Sequence, residues 1–445
     1  MKDIQFFYES SLISEKELDD IGSQLIEEIT RMNAAQKKDY QEDHASINLL
    51  DDNESLKKIK FLINEKKKMN LKYLVVVGIG GSNLGTVAVQ EALLGRMYNQ
   101  LEPPTKILYA DTVDTDSLHT IIDLIEPVLK NDGNVLINGV SKSGGTTETI
   151  ANFEVLIEVL KKYKQDYQNY VVITTDKSSK YWTLAKKDGF ALLEIPSKVG
   201  GRYSLFSAVG LFPLGILGID IDELLNGARV MKKRCLDYRI QNNPAAMSAS
   251  LIYAHHTHGK NIHDLFLFNP DLESVGKWYR QIMGESIGKE YNLKGEQVFT
   301  GITPTVSIGS TDLHSMAQLY LGGPFDKFTT FVRVERNNSS ICVPVLPDYT
   351  ALVNGVQGKT LHDIMQAILE GVQASFRKGN RPFVEVVLPD KTAFSIGQFM
   401  QFKMMEMMLL GFLCGVNPFD QPNVEAYKNE TRKILEEHSK NIVRQ

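Results

Sequence analysis

From residue 73 the chain alternates short apolar runs with longer amphipathic stretches. The runs fall at 73–79, 106–110, 134–140, 170–174 and 190–195, each bounded by Gly, Ser, Asn or Asp. Strand-length runs separated by helical patterns predict βαβ units, and so a parallel sheet with helices on both faces. After a Gly-rich break at 199–201 the rhythm resumes, with runs at 262–268, 305–308, 328–334 and 383–388. The expectation is an α/β protein of two units: residues 46–200, then residues 201–417. Residues 1–45 are polar with a helical period and acid-rich early (Glu15, Glu17, Asp19, Asp20), and are expected to pack on the second unit. Residues 418–445 read as a charged helical arm lying across the surface. The run Lys66–Lys68 reads as a solvated helix end.

Composition narrows the partners. Lys plus Arg number 49 against 54 Asp plus Glu, a net charge of −5, so no global basic field exists to grip nucleic acid or an anionic membrane. An anion must be held locally. The three cysteines, Cys235, Cys342 and Cys414, form no C-x-x-C pair and no disulfide framework, which suits a reducing cytoplasm. The N-terminus lacks the apolar core of a signal peptide. Residues 404–416 are interrupted by Glu406 and fall short of the roughly 20 residues a membrane span needs, so they read as a buried core helix, with Met400, Met404, Met405, Met407 and Met408 as adaptable filling. A soluble cytoplasmic protein is expected.

Two loops after strands have the makings of a phosphate cradle. The first strand runs into Gly78-Ile79-Gly80-Gly81-Ser82-Asn83-Leu84-Gly85. Glycines there let backbone approach a ligand, and the following helix offers free N–H groups. A dinucleotide fingerprint would need glycine where Asn83 stands, and a Walker loop would need lysine where Thr86 stands. The third strand ends in Ser141-Lys142-Ser143-Gly144-Gly145-Thr146-Thr147-Glu148-Thr149, in which six of nine residues carry a hydroxyl or an ammonium. Capping a helix takes one hydroxyl. Five, beside loop amides, suit the oxygens of a phosphate, and with no nucleotide fingerprint nearby the natural ligand is the phosphomonoester of a small molecule.

Catalytic candidates lie further on. Arg202 follows Gly200-Gly201 at the boundary between the units, where a guanidinium can reach a cleft and offset developing negative charge. Glu285, between glycines near a helix end with Gln281 one turn before it, suits a general base. The segment Asp312-Leu313-His314-Ser315 lies just beyond a strand's carboxyl end, where open α/β sheets bind ligands. His255, His256, His258 and His263 lack the spacing and the acid of a zinc site and read as helix-end residues.

Together, VVGIGGSNLG, SKSGGTTET, VGGRYSLFSAVG, Q-x-x-x-ESIGK, DLHSMAQ and FDQPNVEAYK, in that order from residue 76 to residue 428, resemble the phosphoglucose isomerase family. The resemblance implies two doubly wound α/β sandwich domains of the sugar-isomerase (SIS) type with a C-terminal helical arm. It implies a homodimer with a shared active site, and reversible isomerisation of glucose 6-phosphate and fructose 6-phosphate, in glycolysis and gluconeogenesis, through a cis-enediolate. It assigns phosphate binding to Ser141, Ser143, Thr146 and the backbone of Lys142, with Gly81 and Ser82 beside the sugar. It assigns Arg202 to the enediolate, Glu285 to proton transfer with Gln281 beside it, and His314, from the neighbouring subunit, to ring opening. Gln421 and Lys428 match residues of the arm, the lysine assisting ring opening. Such chemistry needs no metal and no organic cofactor. Three other readings stay open at this point: an isomerase of another phosphosugar, a non-catalytic sugar-phosphate sensor, and a dehydrogenase using Asp111 to bind ribose.

Overall fold

The computed structural model describes residues 2–442. The chain opens on β1 (Gln5–Phe7), α1 (Glu15–Ala35) and α2 (Asn53–Lys67). Next come β2 (Leu71–Val77), α3 (Leu84–Leu94), β3 (Lys106–Ala110), α4 (Thr115–Lys130), β4 (Asn134–Val140), α5 (Thr147–Tyr163), β5 (Val171–Thr175), α6 (Lys180–Lys187) and β6 (Ala191–Glu194). Helices α7 (Ala208–Ile216), α8 (Ile221–Cys235) and α9 (Pro244–Thr257) lead to β7 (Ile262–Leu267) and α10 (Glu273–Ile287). The hairpin β8 (Lys289–Tyr291) and β9 (Gln297–Thr300) precedes β10 (Thr303–Ile308), α11 (Ala317–Gly322), β11 (Lys327–Val334), α12 (Leu361–Lys378) and β12 (Phe383–Leu388). Helices α13 (Ala393–Leu413) and α14 (Pro422–Ile442) close the described chain. Every strand expected from the apolar runs is present, with ends shifted by at most two residues.

The first sheet has the order β3-β2-β4-β5-β6, all neighbours parallel. Winding reverses between β2 and β4, and the crevice outside a sheet at such a reversal is where open α/β folds bind ligands. The second sheet has the order β1-β12-β11-β7-β10, and β7, β10, β11 and β12 repeat the same winding, all parallel.

Both faces of each sheet are covered. Along β2, Tyr73, Val75 and Val77 face a core shared with α4, α5 and α6, while Leu74 and Val76 face a second core. That second core continues without a break to Leu265, Phe328 and Val386 of the other sheet. The outer face of the second sheet has its own aromatic core, Phe266, Phe331, Phe376 and Phe383 among others. Helix α7, beyond the boundary expected near residue 200, lies against α2, α3 and β2, so the packing of the first sheet extends past that point.

Three local expectations meet a different structure, and one hairpin carries no signal in the sequence. Residues 1–45 hold β1 as well as a helix; three residues are too few to show a period of two, and β1 caps the open edge of β12 in antiparallel register, Phe6 opposite Val386. The β8–β9 hairpin, with its largely exposed residues, carries no apolar alternation to betray it. Lys66 is buried, its ammonium donating to the carbonyl of Asn169 rather than to water. Helix α14 does not lie along the body: from Glu425 to His438 only Lys428 is even half-buried, and residues 443–445 of the expected arm lie outside the described residues. Among the described residues no helix is long and apolar enough to cross a membrane.

Helix α13 is buried nearly all round, its methionines included. It also carries Lys403 and Glu406, both 0% exposed and paired at 2.7 Å. The remaining oxygen of Glu406 accepts from Tyr279 on α10 (3.0 Å), whose hydroxyl also meets His263 Nδ1 at 3.2 Å, and His263 Nε2 meets Thr330 at 2.9 Å. Helix α8 crosses α13 with backbones in contact. A Cβ on Gly227 would lie 1.9 Å from the Phe394 carbonyl oxygen, and one on Gly397 would lie 2.0 Å from that of Leu224. Gly227→Ala is therefore expected to cost about 1–3 kcal/mol or more, read as a lowered urea midpoint. Gly371→Ala, in α12 with nothing within 4 Å of its Cβ, should hold or raise that midpoint by about 0.5–1 kcal/mol. Equal midpoints for the two variants would contradict the close crossing.

Candidate active site

The loops after β2 and β4 stand side by side at the winding reversal. After β2 the chain turns through Gly80 at φ +59°, and Gly81 lies against the second glycine-rich segment: its Cβ would be 2.3 Å from the carbonyl carbon of Gly201 and 2.5 Å from the amide nitrogen of Arg202. No side chain fits between these backbones, and the Ser204 hydroxyl ties them by donating to the carbonyls of Gly81 (3.3 Å) and Gly201 (2.7 Å). Ser82 is half-buried in the same turn.

After β4, Ser141 is buried, and its hydroxyl accepts from the Gly144 amide (3.1 Å) and meets the Thr146 hydroxyl at 3.0 Å. Ser143 is exposed and accepts from the Gly145 amide at 3.3 Å. The Thr175 hydroxyl holds the loop from behind, donating to the Ser141 carbonyl at 2.6 Å. Thr146 occupies the capping position of α5 without its side chain bonding to the first turn, so the amides there keep their capacity for an anion. Lys142 is half-buried; burial holds its ammonium below the usual lysine range, with the charge of Arg202 adding to the effect and Asp176 opposing it.

Arg202 is the centre of the arrangement. It is 2% exposed, and all three of its nitrogens are engaged. Nε donates to Ser286 (2.9 Å); Nη1 donates to Glu285 Oε2 (3.2 Å) and Gln421 Oε1 (2.7 Å). Nη2 donates to the carbonyls of Pro418, Asp420 (3.0 Å) and Glu285 (3.5 Å). Gln281, one helical turn before Glu285 on α10, donates to Glu285 Oε1 at 3.0 Å and sits beside Gly80. Both carboxylate oxygens are thus held, yet the Glu285 side chain stays 33% exposed. Tyr203 packs on Phe419 and shares Ser286 with Arg202; burial pushes its phenol pKa up.

Arg202, Glu285, Gln281, Gln421 and Gly81 are therefore brought together. His314 and Lys428 are not. His314 is exposed after β10, and among the described residues its imidazole has no hydrogen-bond or ion-pair partner. Lys428, on α14, pairs with Glu425 at 2.8 Å. Sequence reasoning missed Ser286, Lys289 and Asp420. The first two lie inside the Glu-Ser-Ile-Gly-Lys segment, but Ser286 acts through Arg202 and Tyr203, and Lys289 through residues 418–421, approaches that no local pattern announces. Of the 255–263 histidines, His255 and His263 serve the core, whereas His256 meets Asn261 at 2.8 Å and the exposed His258 pairs with Glu17 at 3.0 Å; His255 meets the Ser11 carbonyl at 2.9 Å, and burial lowers its pKa to about 4.

Comparison with known proteins gives a consistent result. Residues 62–444 match the phosphoglucose isomerase family. The chain is 36% identical over 371 residues to glucose-6-phosphate isomerase of Carboxydothermus hydrogenoformans, covering 82% of this chain and 79% of that one. It is 32% identical over 373 residues to a probable glucose-6-phosphate isomerase of Methanococcus maripaludis, covering 84% and 80%. Among solved structures, a hypothetical protein from Thermus thermophilus superposes with a TM-score of 0.86 at 28% identity, over 97% of this chain and 99% of that one. A glucose-6-phosphate isomerase from Chlamydia trachomatis shares the fold with a TM-score of 0.84 at 21% identity, over 99% and 89%.

The guanidinium's grip on residues 418–421 is testable directly. Arg202→Lys keeps the charge but cannot span Ser286, Gln421 and two carbonyls at once. Amide hydrogen exchange in 418–421 is expected to quicken about tenfold or more, the equivalent of losing about 1.4 kcal/mol of local stability. Exchange at the parental rate would mean that the segment is held elsewhere.

Proposed function

The chain belongs to the phosphoglucose isomerase family and interconverts glucose 6-phosphate and fructose 6-phosphate, a glycolytic aldose–ketose isomerisation; we propose that it does so with Glu285 as the proton carrier and Arg202 as the fixed cation. The observation that carries this reading is the shared grip of Arg202 Nη1 on Glu285 (3.2 Å) and Gln421 (2.7 Å), beside the glycine turn of Gly80 and Gly81.

In this reading the phosphate sits in the loop of Ser141, Lys142, Ser143 and Thr146, against the amides of α5, and Gly81 and Ser82 border the sugar. Fixing the far end of the substrate converts a loose encounter into an oriented one. His314 and Lys428 exchange protons with the ring oxygen and the C1 hydroxyl to open the ring. Glu285 then takes the C2 proton, the C–H electron pair becomes the C1–C2 double bond, and O1 takes the negative charge. Arg202 offsets that charge, worth on the order of 3 kcal/mol if it acts as an oxyanion donor does. A proton passes from O2 to O1, and Glu285 returns its proton to C1 on the same face, leaving the carbonyl at C2.

The working unit is a homodimer. His314 has no partner in the Arg202 cluster of its own chain, so a second copy supplies it. Exposed apolar side chains on α14 (Tyr427, Ile434) and on the loop before α12 (Ile341, Val345, Leu352) give that copy a surface to cover. The three free thiols suit the cytoplasm, and a net charge of −5 suits a small sugar phosphate better than a nucleic acid.

Glu285→Gln is expected to abolish exchange of the C2 proton with solvent while sugar-phosphate binding stays nearly intact; full isomerase activity in that variant removes Glu285 from the base role. Mixing inactive Glu285→Gln and His314→Ala chains under exchange of subunits is expected to restore about one quarter of parental activity, since random pairing of a symmetric dimer leaves one intact shared site in half of the dimers. No recovery would place both residues in sites built from one chain.

A further inference from the structure

Lys289 is a buried lysine that the proposed chemistry leaves unused. It opens β8 directly beyond the end of α10, and it is 6% exposed. Helix α10 has no basic residue in its last turn, and its backbone bonding ends where Gly288 donates to the Gly284 carbonyl at 3.1 Å. The next carbonyl, that of Glu285, faces the end of the helix with the orphan character of a last turn. The Lys289 ammonium fills that role, donating to the Glu285 carbonyl and, at 2.9 Å, to the Asp420 carbonyl, with the Asp420 carboxylate at 3.6 Å. Arg202 donates to the same two carbonyls through Nη2. Two cations thus bridge one pair of backbone oxygens. One of these belongs to the residue that carries the carboxylate of the site, the other to the residue just before Gln421.

We infer that Lys289 is a positioning residue for the isomerisation: its ammonium clamps the end of α10 to the segment 418–421, and so fixes where Glu285 and Gln421 stand around Arg202. The inference rests on the reading of Glu285 as the base. It assigns Lys289 no contact with substrate, and its effect passes through the two carbonyls it holds.

The clamp depends on charge. A neutral amine keeps weaker donors and loses its attraction to Asp420. Burial, followed by the neighbouring charge of Arg202, pushes the Lys289 pKa down to about 8, against the opposing pull of Asp420 and Glu285. Those three are the charged groups facing it, from the turn at 202, the segment at 420 and α10 itself. The sign is therefore fixed: the clamp is complete below that pKa and weakens as pH rises through it.

Steady-state kinetics in both directions on the full-length protein, with hydrogen exchange of residues 418–421, tests this. Lys289→Met is expected to lower kcat about tenfold or more in both directions, because small misplacements of reacting groups are costly, while KM for the sugar phosphate moves less than about twofold. Exchange in 418–421 should quicken in parallel. Lys289→Arg, whose guanidinium stays protonated, is expected to recover most of kcat and to move the alkaline fall of kcat upward by about one pH unit or more. Parental kcat in a folded Lys289→Met protein overturns the inference, and so does an alkaline fall unmoved in Lys289→Arg. Should Lys289→Met fail to fold, the pH profile of Lys289→Arg decides alone. Glu285→Gln separates the two readings. Full activity there strikes the base assignment, whereas the exchange data still report on the clamp.

Discussion

A guanidinium with nowhere else to go organises this protein. Arg202 is buried at the meeting of the two sheets, and burying a cation without partners is prohibitive, so every direction it points in must end on an acceptor. Those acceptors come from the end of α10 and from the segment that leads into α14. Satisfying one side chain therefore docks the second half of the chain onto the glycine turn of the first. The close approach of Gly81 to Gly201 and Arg202 accompanies it, setting the backbone that carries the arginine against the turn of the first sheet.

Much of the architecture was legible in the residues. Strands buried on both faces must be apolar throughout, and the runs at 106–110, 134–140 and 383–388 coincide with β3, β4 and β12. What escaped notice lacked that signal. β1 is three residues long, the β8–β9 hairpin is largely exposed, and Lys66 finds a carbonyl that no helical period reveals. The site divides in the same way. Glycines and hydroxyls in the loops after β2 and β4 announce themselves because a turn or a cap has no need of so many. Ser286, Lys289 and Asp420 look like ordinary polar residues until the chain brings Arg202 to Ser286 and residues 418–421 to Lys289.

The interior also carries a second set of polar groups whose task differs from that of the cleft. Lys403 and Glu406 are enclosed in α13, and through Tyr279 and His263 they reach from that helix across α10 to β11. Replacing such a pair by apolar residues often costs nothing, whereas removing one member strands the other. Tyr279 lies on the helix that bears Gln281 and Glu285, so this network fixes the rotation of the helix that Arg202 and Lys289 hold by its end.

The unbroken core between the sheets has a kinetic consequence. Leu74 and Val76 belong to the same apolar mass as Leu265 and Phe328, so there is no seam along which two lobes could swing apart by a hinge. In the proposed site that leaves the rim, the loop at 141–146 and the short stretch before α14, as the parts that can give way to a ligand. Motions of that size run on the nanosecond-to-microsecond scale of loops rather than the slower scale of domains. A catalyst built this way admits its substrate by lifting an edge, and its interior never has to open.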